Sequence, residues 1–182
     1  MDGIELIMQR RSSGQLTEPA PTGEALQQIL QAALTVPDHG ALHPWQLLLA
    51  EGEGRQRLGE LLAGAAERFG EKPEQIDKAR KAPLRAPLVI TVVAKVVVHP
   101  KVPAMEQELS AGCAVYAMQL AAEQLGFGSI WRSGPYMFDR HLHRALGLAE
   151  QDQIVGFLYL GTTVSEMTTV RRPALEGFVR YL

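Results

Sequence analysis

Near the amino terminus, Arg10-Arg11-Ser12 sets two permanent cations and a hydroxyl donor just ahead of the Ser13-Gly14 break. Guanidinium groups make paired, charge-assisted hydrogen bonds to phosphate oxygens, so the triplet suits a phosphate clamp. It equally suits a solvated helix end, where Arg complements the negative end of the helix dipole. Both readings stay open. Trp131-Arg132-Ser133-Gly134 offers an indole, a cation and backbone N–H donors after an apolar stretch. Such a segment can edge a planar, electron-poor heterocycle, or can simply be a β-turn beside a buried Trp.

Other constellations carry less. Gly126-Phe127-Gly128 begins like a dinucleotide-binding turn, but position 131 is Trp rather than Gly and a helix precedes it. Helix termination accounts better for Gly126. His39 and His43 share a Pro-containing loop, and His141 and His143 lie two apart, without a third ligand for a metal site. No Gly-x-Ser-x-Gly elbow is present for a Ser hydrolase. Cys113, amid alanines, reads as a small buried hydrophobe.

The elements that must hold these groups follow from periodicity. Asp2 with Glu5 resembles a capping box, and Ile4, Ile7 and Met8 form one stripe, so residues 2–12 read as a helix. Thr22 can cap a second helix carrying Leu26, Ile29, Leu30, Ala33 and Leu34, which stops before Pro37. Residues 35–44 form a loop, 45–50 a strand and 51–54 a turn. Helices follow over 55–69, with Leu58, Leu61, Leu62, Ala65 and Phe69 on one face, and from Pro73 to about Lys81. Residues 87–95 are apolar on both faces, the pattern of a covered central strand. Residues 104–125 form a long helix of small residues, suited to close packing. Strands over 126–131 and 154–160 flank a short helix over 139–146. This mixture without strict alternation indicates an α+β fold.

The chain has 182 residues, 46% hydrophobic and 21% charged, as expected of one ordinary globular domain over 1–182. Its net charge of -2 argues against a broad nucleic-acid-binding surface. Thirteen of the cations are Arg and five Lys. A single cysteine excludes a disulfide framework and fits a reducing cytoplasm. The apolar run from Leu88 to Ala94 is too short to span a bilayer, and the amino terminus does not read as a signal peptide.

Taken in order, Arg10-Arg11-Ser12, Pro37, His43-Pro44-Trp45, the stretch from Gly126 to Gly134, and Gly161 resemble the nitroreductase family of flavoproteins. The likeness is to the short, single-domain NAD(P)H nitroreductases of bacteria. It implies an oxidoreductase with a central antiparallel-type sheet flanked by helices, and an FMN site at a homodimer interface. Arg10, Arg11 and Ser12 would hold the FMN phosphate and part of the ring edge. Thr35 and His39 would approach the flavin across the interface, and Trp131, Arg132 and Ser133 would line the isoalloxazine. The helix end from Ala121 to Gly126 would contact the nicotinamide cofactor.

Some positions depart from the common family pattern. Gly14 stands where a second cation is usual, Asp38-His39-Gly40-Ala41 replaces Ser-x-x-Asn, and His43 replaces Gln. Arg171-Arg172-Pro173 resembles a carboxyl-terminal feature that brings a cation to the phosphate. The resemblance implies hydride transfer from NAD or NADP in reduced form to flavin N5 and on to a nitroaromatic, quinone or similar flat acceptor. Arg11 or Arg132 would stabilise charge at the N1 and C2=O edge. With no dinucleotide fold, both reactants would use one site in turn, giving ping-pong kinetics. Competing readings are enone reduction, dehalogenation-like chemistry and a non-catalytic flavin-binding dimer.

Overall fold

The computed structural model describes residues 2–164 and 172–182. Its centre is β3 (Leu88–Ala94), whose seven residues are all buried, as the unbroken apolar run requires. It pairs antiparallel with β2 (Trp45–Glu51) on one side and β5 (Gln153–Thr163) on the other. The far edge of β5 carries β4 (Gly128–Arg132) and the two-residue β1 (Leu16–Thr17), both antiparallel. The sheet order is therefore β1-β5-β3-β2, with β4 also on β5.

Alternation along the central strands sorts the core into two layers. Val89, Val93, Phe157 and Tyr159 face α3 (Glu53–Arg68), α4 (Pro73–Lys81) and α6 (Arg140–Ala145). Leu88, Ile90, Val92, Leu158 and Leu160 face α2 (Gly23–Ala32) and α5 (Ala104–Gln124). Each such aliphatic side chain contributes roughly 1.5–3 kcal/mol on burial. The alanines of α5 let it lie close to the sheet: Ala111, Ala114 and Ala122 are fully covered. Between α3 and α4 the approach is closer still. A Cβ at Gly59 would sit 2.2 Å from the Arg80 carbonyl oxygen, so only glycine fits that crossing.

Several sequence expectations need correction. The first helix, α1 (Gly3–Gln9), ends three residues early. Asp2 does cap it, accepting from Glu5 N at 2.8 Å, while the Glu5 carboxylate accepts from Gln9. Arg10 then turns extended (φ -49°, ψ 134°), which frees Arg10–Ser12 from the helix and lets them run along the sheet edge. Thr22 occupies the N-cap of α2 without a capping side-chain bond. Leu34 is 61% exposed, because the chain tightens into a 3₁₀ turn over Ala33–Thr35 and rotates it off the apolar stripe. The turn expected through Gly54 is shorter, since α3 already begins at Glu53. Phe69 is half exposed and stands edge-on to Tyr136, with ring centroids 5.9 Å apart. Cys113 is exposed, on the side of α5 turned away from the sheet. No helix among the described residues is long and apolar enough to cross a membrane.

Candidate functional site

The extended Arg10–Ser12 segment is pinned between α5 and β4. Ser13 N donates to Ser129 O of β4 at 2.8 Å, and Arg11 Nε lies 3.9 Å from the Glu123 carboxylate on α5. Burial pushes the Glu123 carboxyl above its ordinary pKa, while Arg11 and then Arg10 oppose that rise. From the carboxyl-terminal arm, Arg172 reaches the end of α1. Its guanidinium donates to the Met8 carbonyl at 3.2 and 3.3 Å and to the Arg10 carbonyl at 2.5 Å. These contacts supply donors to carbonyls that a helix end leaves unpaired. The Arg172 cation is therefore directed to backbone, and Arg171 lies outside the described residues.

Beside this segment opens a cavity of about 710 Å³. Arg10 and Ser12 line it, Trp131, Ser133 and Gly134 form a second wall, and Tyr116 and Gln119 on α5 form a third. Gln119 is 3% exposed and donates from Nε2 to Ser129 Oγ at 3.3 Å. A buried amide facing a cation, a hydroxyl and an indole makes a polar-ended, flat-walled cleft. Its size falls in the range of small-molecule sites.

Two glycines hold the indole in place. A Cβ at Gly156 would lie 2.1 Å from Trp131 Nε1, so the ring rests on bare backbone and donates to Val155 O at 3.2 Å. Gly112 leaves room on the α5 side, where a Cβ would lie 3.5 Å from Trp131 Cη2.

The structure brings together Arg10, Ser12, Trp131 and Ser133 in this one cavity. Arg11 stands just behind it on Glu123. Arg132 does not join them. Adjacent strand residues face opposite ways, and Arg132 turns to the reverse side of β4, its guanidinium 5.6 Å over the Tyr159 ring. Thr35 Oγ1 donates to Ala32 O at 2.9 Å, and His39 Nδ1 lies 2.6 Å from Glu106, both outside the lining of this cavity. Ala121 packs against the sheet-facing core and Gly126 (φ 84°) ends α5, so neither reaches the cavity. Tyr116, Gln119, Met137, Phe138 and Val155 line it without having been singled out from the sequence. Among the described residues no three His, Cys, Asp or Glu side chains converge as a metal site.

Comparison with known proteins agrees with this architecture. A model of the nitroreductase family matches residues 7–162. Over all 182 residues the chain is 52% identical to the full length of the Escherichia coli (strain K12) protein named "Putative NAD(P)H nitroreductase YdjA". Among solved structures, a nitroreductase-like family protein from Bacillus cereus superposes with a TM-score of 0.86 at 23% identity, covering 100% of this chain and 96% of the other. A Bacteroides fragilis nitroreductase solved with bound FMN gives 0.74 at 21% identity, with both chains fully covered. The antiparallel sheet, the helices on both its faces and the matched residues agree: the chain belongs to the nitroreductase family.

Proposed function

We propose that this chain, acting as one domain over residues 1–182, is an FMN-dependent oxidoreductase that takes hydride from NAD(P)H and delivers it to flat acceptors such as nitroaromatics and quinones. One observation carries the reading. A single cleft presents Arg10 and Ser12 at one side, an indole wall at another and a buried amide between them. That donor set fits FMN: a cation and a hydroxyl for the phosphate, a flat wall for the ring, and Gln119 for a polar ring or ribityl atom. The full-length relative's name and the FMN-bound structural neighbour support the same cofactors.

Bound FMN would supply the chemistry, accepting hydride at N5 and passing two electrons onward. The chain's residues position and stabilise. Arg10 holds the anionic tail and Ser12 adds a neutral donor. Glu123 balances Arg11 behind the cleft, and the Trp131 wall fixes the plane in which reactants stack. One cleft serving NAD(P)H and then the acceptor gives ping-pong kinetics.

We further infer a cytoplasmic homodimer, in keeping with a lone cysteine. Met105, Leu109, Cys113 and Tyr116 form an exposed stripe along α5, beside exposed Leu34. The arm over 172–182 exposes Leu175, Phe178 and Tyr181 as well. Thr35 and His39 lie near the start of that stripe, so a partner could carry them toward the cleft.

The test is direct. The purified protein should be yellow, NADH or NADPH alone should bleach it anaerobically, and menadione or a nitroaromatic should restore the colour. Initial-rate lines at several fixed acceptor concentrations should be parallel. A colourless protein that gains no colour from added FMN overturns the cofactor assignment, and intersecting lines overturn the shared site.

A further inference from the structure

On the reverse side of β4 lies a second cavity, of about 620 Å³, between that strand, α3 and α4. Its cationic end is formed by Arg132 and Arg85. Arg132 Nε is buried and makes no hydrogen bond among the described residues. A buried charged donor left unmet is unfavourable, and an anionic oxygen would relieve it. Arg132 Nη2 lies 3.8 Å from where a Cβ at position 14 would be, so Gly14 leaves the space beside that guanidinium open. Arg85 approaches the same spot, its Nη2 3.5 Å from Gly14 O. Tyr159, beneath Arg132, feels both cations: burial raises its phenol pKa, and Arg132 and Arg85 oppose the rise.

The remaining walls are of two kinds. Leu62, Pro135, Tyr136, Met137 and Phe157 supply flat apolar and aromatic surface. Glu74, Asp77, Lys78 and Lys81 of α4 line the outer part, where Lys81 and Asp77 pair at 2.7 Å. With those four charges balancing one another, Arg85 and Arg132 leave the cavity with a surplus of two positive charges.

We propose that this cavity is a second ligand site, taking a small aromatic carboxylate whose anionic group meets Arg85 and Arg132 and whose ring packs among Leu62, Tyr136 and Phe157. The site is separate from the Arg10 cleft yet backs onto it. Ser133, Gly134 and Met137 line both cavities, so an occupant presses on the rear of the wall whose front faces the cleft.

The experiment is calorimetric titration of the purified, FMN-saturated protein with benzoate, alongside acetate and benzyl alcohol. Benzoate should bind at micromolar to low millimolar concentration, and acetate and benzyl alcohol at least tenfold more weakly. Arg85→Met should weaken benzoate at least tenfold while leaving melting temperature and FMN content unchanged, and Arg132→Met should weaken it likewise. Benzoate affinity unchanged in Arg85→Met overturns the proposal, as does no binding at 10 mM, an order-of-magnitude limit for a specific aryl anion site. Acetate binding as tightly as benzoate reduces the site to an anion patch and overturns the aromatic assignment. Benzoate that binds only FMN-free protein sits in the Arg10 cleft. An Arg132→Met protein that melts normally but loses flavin returns that guanidinium to the cofactor. Either result also overturns the proposal.

Discussion

Arg10 faces the cleft while Arg11, its neighbour, turns to Glu123, and the extended backbone at Arg10 is what separates them. Arg10→Ala should therefore remove a charge-assisted contact to the FMN phosphate, about 1.5–3 kcal/mol, or roughly ten- to a hundredfold in affinity. Flavin titration of the folded variant measures it, and wild-type affinity would misplace the clamp. That Arg10, Ser12, Trp131 and Ser133 line one cleft is in keeping with the sequence, where each sits in a short run whose residue types are unusual together. Tyr116 and Gln119 were not legible there, for they lie three apart on a helix whose alanines hide which face turns to the cleft. Arg132 shows the reverse failure. The family resemblance places it with Trp131 at the flavin, while strand alternation sends the two side chains to opposite faces.

At the scale of elements, the long periodic segments were readable and their ends were not. The β3 run and the helix from Ala104 stand within a residue or two of their expected bounds, because β3 is apolar on both faces and the helix is one long run of helix-favouring residues between Pro103 and Gly126. By contrast, β1 has only two residues, paired with Thr163 and Thr162, far too few for a pattern. The start of α6 depends on one side chain. Asp139 accepts from His141 N and Leu142 N at 3.1 and 3.2 Å and from Arg68 of α3. Burial alone would raise its pKa, but the Arg68 and backbone hydrogen bonds hold it below the ordinary 3.8. A carboxyl with a lowered folded pKa adds stability above its unfolded value and loses it as pH falls through the folded one. Asp139→Asn should cost about 1–2 kcal/mol at neutral pH, discounted because the Arg68 side chain is 39% exposed. Melting temperatures of the two proteins should converge as pH falls from 3.8 downward. A constant gap across that range would show that the charge contributes nothing.

At the scale of the whole molecule, the exposed stripe on α5 and the arm over 172–182 set large apolar side chains in water, the surface the proposed homodimer would cover. Light scattering of the flavin-loaded protein should give twice the 19.9 kDa chain mass. A monomer that retains flavin would defeat the dimer. How the arm is placed could not be read from the sequence, since apolar residues without a period name no partner face.

The position of β5 carries a consequence for how the chain comes into being. Three of the four ladders among the described residues run through this one strand, and it follows the other described strands in the chain. Until it emerges, β3 has only β2 beside it, and β4 and β1 have nothing to pair with. A nascent chain halted before Gln153 therefore displays Leu88, Ile90 and Val92 along an unpaired edge, the kind of surface that recruits chaperones or other stalled chains. Three of the sheet's four described ladders thus wait on one late-synthesised strand.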